Sequence, residues 1–378
     1  MNNLKPDNST RCRLHVSTGA LRGNVAAIRR ALPPKTRLLS VVKANAYGLG
    51  ADHAVRILLE EGLDFFGVAN VTEAMEVRAL APQADILLLS ATLPEEDPRL
   101  PEHSLLPTIS SLDEIERYRE ISRATGRPLR AHAKIDTGMG RLGVWHEEAQ
   151  ALLARIEETP EIQLEGLYTH FYDSGDDREG TETQRRRFLA ATAGIREIRP
   201  GLLLHADNSG GIFSFPGTPF NAARCGLLQY GIAPGGLCGG PLWGSLRPVV
   251  SVSARLTLVK NLPAGAGISY SHSHRLTRPS RVGVLSVGYA DGIPRSCSNR
   301  GRVLVRGQEC QMIGNVTMDE IMVDVTDVPE AAAGDEAILI GRQGEKVITM
   351  ESFSERAGTI PWESLCFFSR RMPRVWGE

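Results

Sequence analysis

The chain has 378 residues, 42% of them hydrophobic and 23% charged, with a formal net charge of -1. That length supports a sizeable core and two or three domains. The near-neutral charge gives no basis for a polyanionic partner or for attachment to an anionic membrane. The opening MNNLKPDNSTRCRLH lacks the apolar centre of a signal peptide, and the longest apolar runs, such as 86–89, are too short to span a bilayer. A soluble, cytoplasmic protein is therefore expected. Six cysteines (Cys12, Cys225, Cys238, Cys297, Cys310 and Cys366) show no C-x-x-C spacing and read as packing or surface thiols in a reducing compartment.

In chain order, the first apolar run, 38–42, delivers Lys43 to the end of a predicted strand, and Asn45, Gly48 and Gly50 permit a turn before a helical pattern over 51–61. Short apolar runs recur at 64–68, 86–89, 105–109, 130–135, 164–168, 203–205 and 223–230, which makes eight candidate strands. Most are continuous rather than alternating, as strands covered on both faces should be. Helical patterns at 72–80, 112–124, 147–158 and 182–198 lie between them. Eight such units predict a closed (β/α)8 barrel over 13–247, with its chemistry on loops at the C-terminal ends of the strands. After Pro248 the segments become short and often alternating: 249–260, 282–287, 303–306, 321–325 and 337–340. They predict a separate all-β domain over 248–378, and the segment 12–18 is a candidate first strand of it.

The polar residues share an address in this scheme. Lys43 follows the first strand, Asp136 the fifth, His170 the sixth, Asn208 and Ser209 the seventh, and Arg224 lies in the eighth. Taken singly, each has an ordinary reading: a strand-end lysine can snorkel, Asp136 can open a turn, and a core histidine can simply be satisfied. Their common face favours a site, and a desolvated strand-end lysine is a candidate amine nucleophile. No nucleotide loop, G-x-S-x-G elbow or H-E-x-x-H motif occurs. His272 and His274 have no third ligand in view and read as a polar loop, so no metal is expected.

The stretch VVKANAYG (41–48) resembles the pyridoxal-phosphate lysine segment of alanine racemases. The resemblance continues through AKIDTGMGRLG (133–143), YTHF (168–171), DNSGG (207–211), RCGLLQYGIAP (224–234), GISYSHSH (267–274), SVGYADGIPR (286–295), GNVTMDEIMVDVTD (314–327) and TIPWE (359–363). These motifs are long, ordered and spread over nearly the whole chain. They imply a pyridoxal 5'-phosphate (PLP) enzyme that racemises alanine and supplies D-alanine for peptidoglycan. The family's fold is a (β/α)8 barrel followed by a β domain, and its active unit is a homodimer with shared sites.

Position by position, the resemblance implies that Lys43 holds the cofactor and serves as the base on one face of the substrate. Tyr270 would be the base on the other face, supplied by the partner subunit. Arg224 would hydrogen-bond the pyridine nitrogen and keep it unprotonated, and His170 would link Arg224 to the catalytic tyrosine. Arg141 would contact the cofactor's phenolic oxygen and the substrate carboxylate. Lys134 falls on a lysine that is carbamylated in many relatives. Tyr47, Ser209 and the N–H groups of Gly226 and Leu227 would hold the phosphate, with Asn208 and Trp362 beside the cofactor. Tyr289, Met318 and Asp319 would line the substrate side.

Three departures stand out: Leu49 where the family has histidine, Gly210 and Gly211 where it has alanines, and Trp362 where it ordinarily has tyrosine. The last bears on substrate range, and a racemase of broader or shifted range is the alternative reading. Basic amino-acid decarboxylases share barrel, β domain and lysine, but Tyr270 and Arg224 are not expected in them. A non-catalytic PLP-binding barrel would lack the second domain altogether.

Overall fold

The computed structural model describes residues 10–215, 217–233, 242 and 244–378. Cys238, Pro234 at the end of the 224–234 motif, and the segment 1–9 lie outside the described residues. The chain divides into two units, one of residues 20–46 and 50–247, the other of residues 1–19, 47–49 and 248–378.

In the first unit, eight of the nine strands among the described residues form the barrel succession: Arg37–Val41, Phe65–Val68, Asp85–Leu88, Thr108–Ile109, Leu129–Asp136, Ile162–Tyr168, Leu203–His205 and Ala222–Cys225; the short Val144–Trp145 pairs beside Leu129–Asp136. Neighbours pair in parallel register, for example Phe66 with Ile86 and Leu167 with Leu204. The last strand returns to the first, with Arg224 opposite Leu39. Two seams are thinner. Leu87 bridges Leu106 ahead of the short fourth strand, and Arg224 N–H donates to the Asp207 carbonyl at 2.9 Å beyond the seventh. These links close the eight strands into a parallel barrel. Every residue of Phe65–Val68 and Ala222–Cys225 is buried, which explains their unbroken apolar character.

The helices begin and end where local chemistry dictates. Ser111 and Glu114 form a capping box at the start of Leu112–Thr125, and Gly126 ends that helix with φ 67°. Asn70 caps Val71–Leu80 by accepting from Glu73 N–H. One expectation needs correction: the run 223–230 is not a single strand. The strand stops at Cys225, Gly226 takes φ -112° and ψ -88°, and Leu227–Tyr230 forms a 3-10 turn. The apolar run continues because the turn is buried as well, so composition alone cannot show the break.

The second unit is built on a nine-stranded sheet among its described residues. Its long strand Val250–Leu262 pairs with Cys12–Ser17, Ser280–Leu285 and Glu336–Gln343, all antiparallel. Cys12–Ser17 alternates buried with half-buried residues, and Leu14 and Val16 enter the core opposite Val252 and Val250. Arg374–Gly377 adds a parallel edge strand to Cys12–Ser17. No helix among the described residues is long and apolar enough to cross a membrane.

Candidate active site

The C-terminal ends of the barrel strands carry a group of cations sunk in the core. Arg224 is 3% exposed and Lys134 equally so at 3%. Arg224 is held by carbonyls: Nη1 donates to His205 O, while Nη2 donates to Thr169 O at 2.7 Å and to Ala206 O at 3.1 Å. Nη2 also lies 3.3 Å from His170 Nδ1. All of these bonds use Nη1 and Nη2, and Nε–H is the donor they leave over. Burial lowers the guanidinium to about 10, which still leaves it a cation at neutral pH.

The other titratable groups respond to that charge. Burial, followed by Arg224, Lys134, Arg141 and Lys43, holds His170 well below the ordinary histidine range, so it is neutral. Burial, then the cations Arg141 and Arg224, brings the Lys134 ammonium down to about 7. Lys134 Nζ and Arg224 Cζ each lie 5.2 Å from the centroid of the buried Tyr168 ring, which offers both a π face. His205 stacks on the same ring at 4.8 Å. Thr108 donates its hydroxyl hydrogen to Leu88 O at 2.6 Å, so Tyr168 O–H must be the donor in their 2.7 Å contact.

Loops of unusual conformation present two of the side chains. Lys43 opens a turn in which Ala44, Asn45, Ala46 and Tyr47 all have φ between 53° and 55°. Left-handed backbone costs an L-residue other than glycine roughly 1–2 kcal/mol, so four in a row require external support. Arg141 sits on a loop wound around Asp136. Asp136 Oδ1 accepts from Gly138 N–H at 2.9 Å and Met139 N–H at 2.8 Å, and Oδ2 accepts from Arg141 N–H at 3.1 Å. Gly143 passes so close that a Cβ there would meet the Lys134 carbonyl at 2.7 Å.

Beyond the seventh strand, Asn208 is a helix cap. Its Oδ1 accepts from Gly211 N–H at 2.9 Å and from Ser174 Oγ–H at 2.7 Å. Ser209 Oγ accepts from Gly226 N–H at 3.1 Å and Leu228 N–H at 3.5 Å, and the hydroxyl also bonds the Cys225 side chain. Leu227 N–H is the first amide of the 3-10 turn, where no intrahelical acceptor exists. His205, His132 and Glu73 were not singled out from the sequence. A histidine closing the strand Leu203–His205 and the spacing Asn70-x-x-Glu73 were the available signals.

Tyr47, Tyr270, Tyr289, Met318, Asp319 and Trp362 belong to the other unit. There Tyr270 stands 72% exposed on a turn with Ser269, Ser271 and His272 all at positive φ. Asn315 supports it by donating through Nδ2 to Tyr270 O at 2.9 Å. The Tyr289 and Met318 loops are tied by Tyr289 N–H to Thr317 O at 2.9 Å and Ala290 N–H to Met318 O at 3.0 Å. Asp319 Oδ1 accepts from Arg371, which also grips Asp291 in a bidentate pair. Trp362 is the second residue of the helix Pro361–Phe367 and is half-buried.

A parallel barrel with lysines, an arginine and a neutral histidine at the C-terminal strand ends, joined in sequence to a unit built on a β-sheet with two short helices, Met350–Ala357 and Pro361–Phe367, among its described residues, defines an α/β-barrel enzyme suited to anionic, carbonyl-bearing ligands. Comparison with known proteins narrows this class. Residues 16–234 match the family model for the alanine racemase N-terminal domain, and residues 249–376 match that for the alanine racemase C-terminal domain. This chain belongs to the alanine racemase family. It is 36% identical over 372 residues to the alanine racemase of Nostoc sp., covering 97% of this chain and 96% of that one. The crystal structure of alanine racemase from D-cycloserine producing Streptomyces lavendulae superposes with a TM-score of 0.90 at 32% identity, covering 98% of each chain. The Bartonella henselae enzyme, solved with covalently bound pyridoxal phosphate, gives a TM-score of 0.88 at 29% identity over 97% of this chain and 100% of that one.

Proposed function

We propose that this chain interconverts L-alanine and D-alanine with PLP held on Lys43, as a cytoplasmic homodimer whose sites draw on both subunits. The observation that carries the reading is Arg224, a buried cation whose Nη groups are committed to backbone carbonyls and whose Nε–H remains for a ring acceptor. A guanidinium cannot readily give up a proton, so a pyridine nitrogen bonded to it stays unprotonated. The Ser209 hydroxyl and the Leu227 amide suit a phosphate oxygen. The donor set therefore fits the cofactor.

When bound, PLP withdraws electrons from the substrate Cα and makes its proton removable. Racemisation requires that proton to leave one face and return on the other. Lys43 is the base on one face, and Tyr270 of the partner subunit is the base on the opposite face. Arg141 orients the substrate carboxylate, Met318 and Asp319 reach the opposite subunit's site, where the Met318 amide meets that carboxylate, and Tyr289 lines the entrance. Exposure of Tyr270, Tyr289 and Met318, at 72%, 45% and 52%, supports a surface that a second subunit covers. His170, held neutral, can accept from Arg224 without competing for its charge. Lys134, near half neutral at pH 7, suits carbamylation: its free amine attacks CO2, releases one proton and becomes an anion beside Arg141.

Purified protein incubated with L-alanine should lose optical rotation to the racemate, and borohydride reduction followed by peptide mapping should place a pyridoxyl group on Lys43. An adduct on Lys134 or Lys260 instead overturns the cofactor assignment. Mixing inactive Lys43→Ala and Tyr270→Phe subunits should restore activity, because one site of the mixed dimer holds both bases. Verified heterodimers without activity would place both bases in one chain.

A further inference from the structure

Lys43 sits between two peptide groups that are fixed from outside its own segment. On one side, Val42 N–H donates to Gly67 O at 2.9 Å, the last bond of the ladder between the first two barrel strands. On the other, Ala44 N–H donates to Glu73 Oε1 at 2.8 Å. The second carboxylate oxygen, Oε2, accepts from Ala69 N–H at 2.9 Å, just past the end of the second strand. One side chain thus ties the segment after the first strand to the segment after the second.

The turn cannot supply this bond itself. Ala46 N–H closes back on Val42 O at 2.8 Å, and the far end is held by Gly50 N–H to Asn45 O at 3.0 Å and Ala51 N–H to Asn45 Oδ1 at 2.7 Å. Among the described residues, Ala44 N–H, the first amide of the left-handed run, has only Glu73. A carboxylate accepting two backbone amides is a strong, directional anchor. Glu73 N–H donates to the Asn70 cap at 3.0 Å, a backbone bond of the helix start in which the carboxylate takes no part.

We infer that Glu73 is the positioning residue for Lys43: its carboxylate holds the left-handed turn in the one conformation that aims the lysine amine. The inference rests on the reading that Lys43 carries the cofactor. It assigns Glu73 no contact with substrate or cofactor. The expected effect is misalignment of the amine, since displacement of a reacting group by about 1 Å lowers rates on the order of a hundredfold.

The test uses the PLP-loaded enzyme and three variants. Glu73→Gln keeps one acceptor oxygen and sets an NH2 against the second amide, Glu73→Ala removes both acceptors, and Asn70→Ala removes the helix cap alone. Both Glu73 variants should still give a pyridoxyl adduct on Lys43 after borohydride reduction. Their visible circular dichroism band from the bound cofactor should weaken or shift. In both, kcat should fall by roughly ten- to a hundredfold, more for Ala than for Gln, with KM for alanine changed by less than about threefold. Asn70→Ala should lower the melting temperature and leave the dichroism band and kcat unchanged. Wild-type dichroism and kcat in both Glu73 variants overturn the inference. So does an Asn70→Ala variant that reproduces their loss, or a Glu73→Gln protein that fails to fold while Asn70→Ala folds, because each makes the role structural. Absence of a Lys43 adduct in the wild-type protein instead overturns the cofactor reading, and the inference with it.

Discussion

Arg224 and His205 are linked twice: Nη1 of the arginine donates to the His205 carbonyl and also lies 3.2 Å from His205 Nδ1. A guanidinium has no acceptor, so Nδ1 must be the acceptor in that contact. The ring proton of His205 is then on Nε2, which lies 2.9 Å from His132 Nδ1. His132 must in turn carry its proton on Nε2. Burial holds His205 well below the ordinary range and brings His132 down to about 3, so both are neutral. One cation on the last strand thereby fixes the tautomers of two histidines on other strands.

His205→Phe keeps a ring over Tyr168 but removes the acceptor from Arg224 and the donor to His132. Loss of a buried partner costs about 1–3 kcal/mol. Urea unfolding of the variant should show a deficit of that size with an unchanged slope. A deficit below about 0.5 kcal/mol would mean that the carbonyls alone hold Arg224.

Lys134 makes stability depend on pH. Its folded value of about 7 lies below the unfolded value of ~10.4, so the unfolded chain binds more protons between them. The burial penalty is fully present below pH 7 and is relieved as pH rises from 7 toward 10. Lys134→Met should therefore be more stable than the parent at pH 6, on the order of a few kcal/mol, with the difference shrinking toward pH 10. The comparison belongs in CO2-depleted buffer, because a carbamylated lysine has no ammonium to desolvate; 13C NMR after addition of labelled bicarbonate reports that modification directly. A constant difference across the range would place the charged amine in contact with solvent.

Asp136 acts on Arg141 through the backbone. Asp136→Asn retains Oδ1 for Gly138 and Met139 but places an NH2 opposite Arg141 N–H, where Oδ2 now accepts at 3.1 Å. With Arg141 as the carboxylate ligand, the variant should raise KM for alanine by roughly tenfold, equivalent to about 1.4 kcal/mol, while kcat stays within about threefold. An unchanged KM would separate the loop from substrate binding.

The barrel was legible because its strands are buried on both faces. Continuous runs such as 64–68 therefore mark Phe65–Val68 to within a residue. The same rule overran at Cys225, where a buried 3-10 turn is as apolar as a strand. The left-handed turn after Lys43 had no signal, since Ala44, Ala46 and Tyr47 are not residues that favour positive φ, and what supports it is Glu73, distant in sequence. Arg224 was placed inside the eighth predicted strand, and its role came from the resemblance carried by the 224–234 motif. His205 and His132, three-dimensional neighbours separated by 73 positions, could not be paired by spacing. Long-range polar contacts leave no periodic trace in a sequence, whereas burial does.

Trp362 remains the departure with the clearest consequence. It is the second residue of the helix Pro361–Phe367, at the position where the resemblance implies a tyrosine beside the phosphate. A phenol can donate a hydrogen bond to a phosphate oxygen from the end of the ring, whereas indole has one N–H, placed on the ring edge. Loss of one hydrogen bond to a charged group costs about 1.5–3 kcal/mol, or roughly ten- to a hundredfold in affinity. Trp362→Tyr should therefore tighten PLP binding by that factor, measured by cofactor titration of the stripped protein, and change alanine turnover at saturating PLP only modestly. The bulkier indole should also crowd the entrance, so alanine should be preferred over longer amino acids, and the variant should narrow that preference. A Trp362→Tyr enzyme that loses turnover at saturating PLP with unchanged cofactor affinity would place the indole in the chemical step instead.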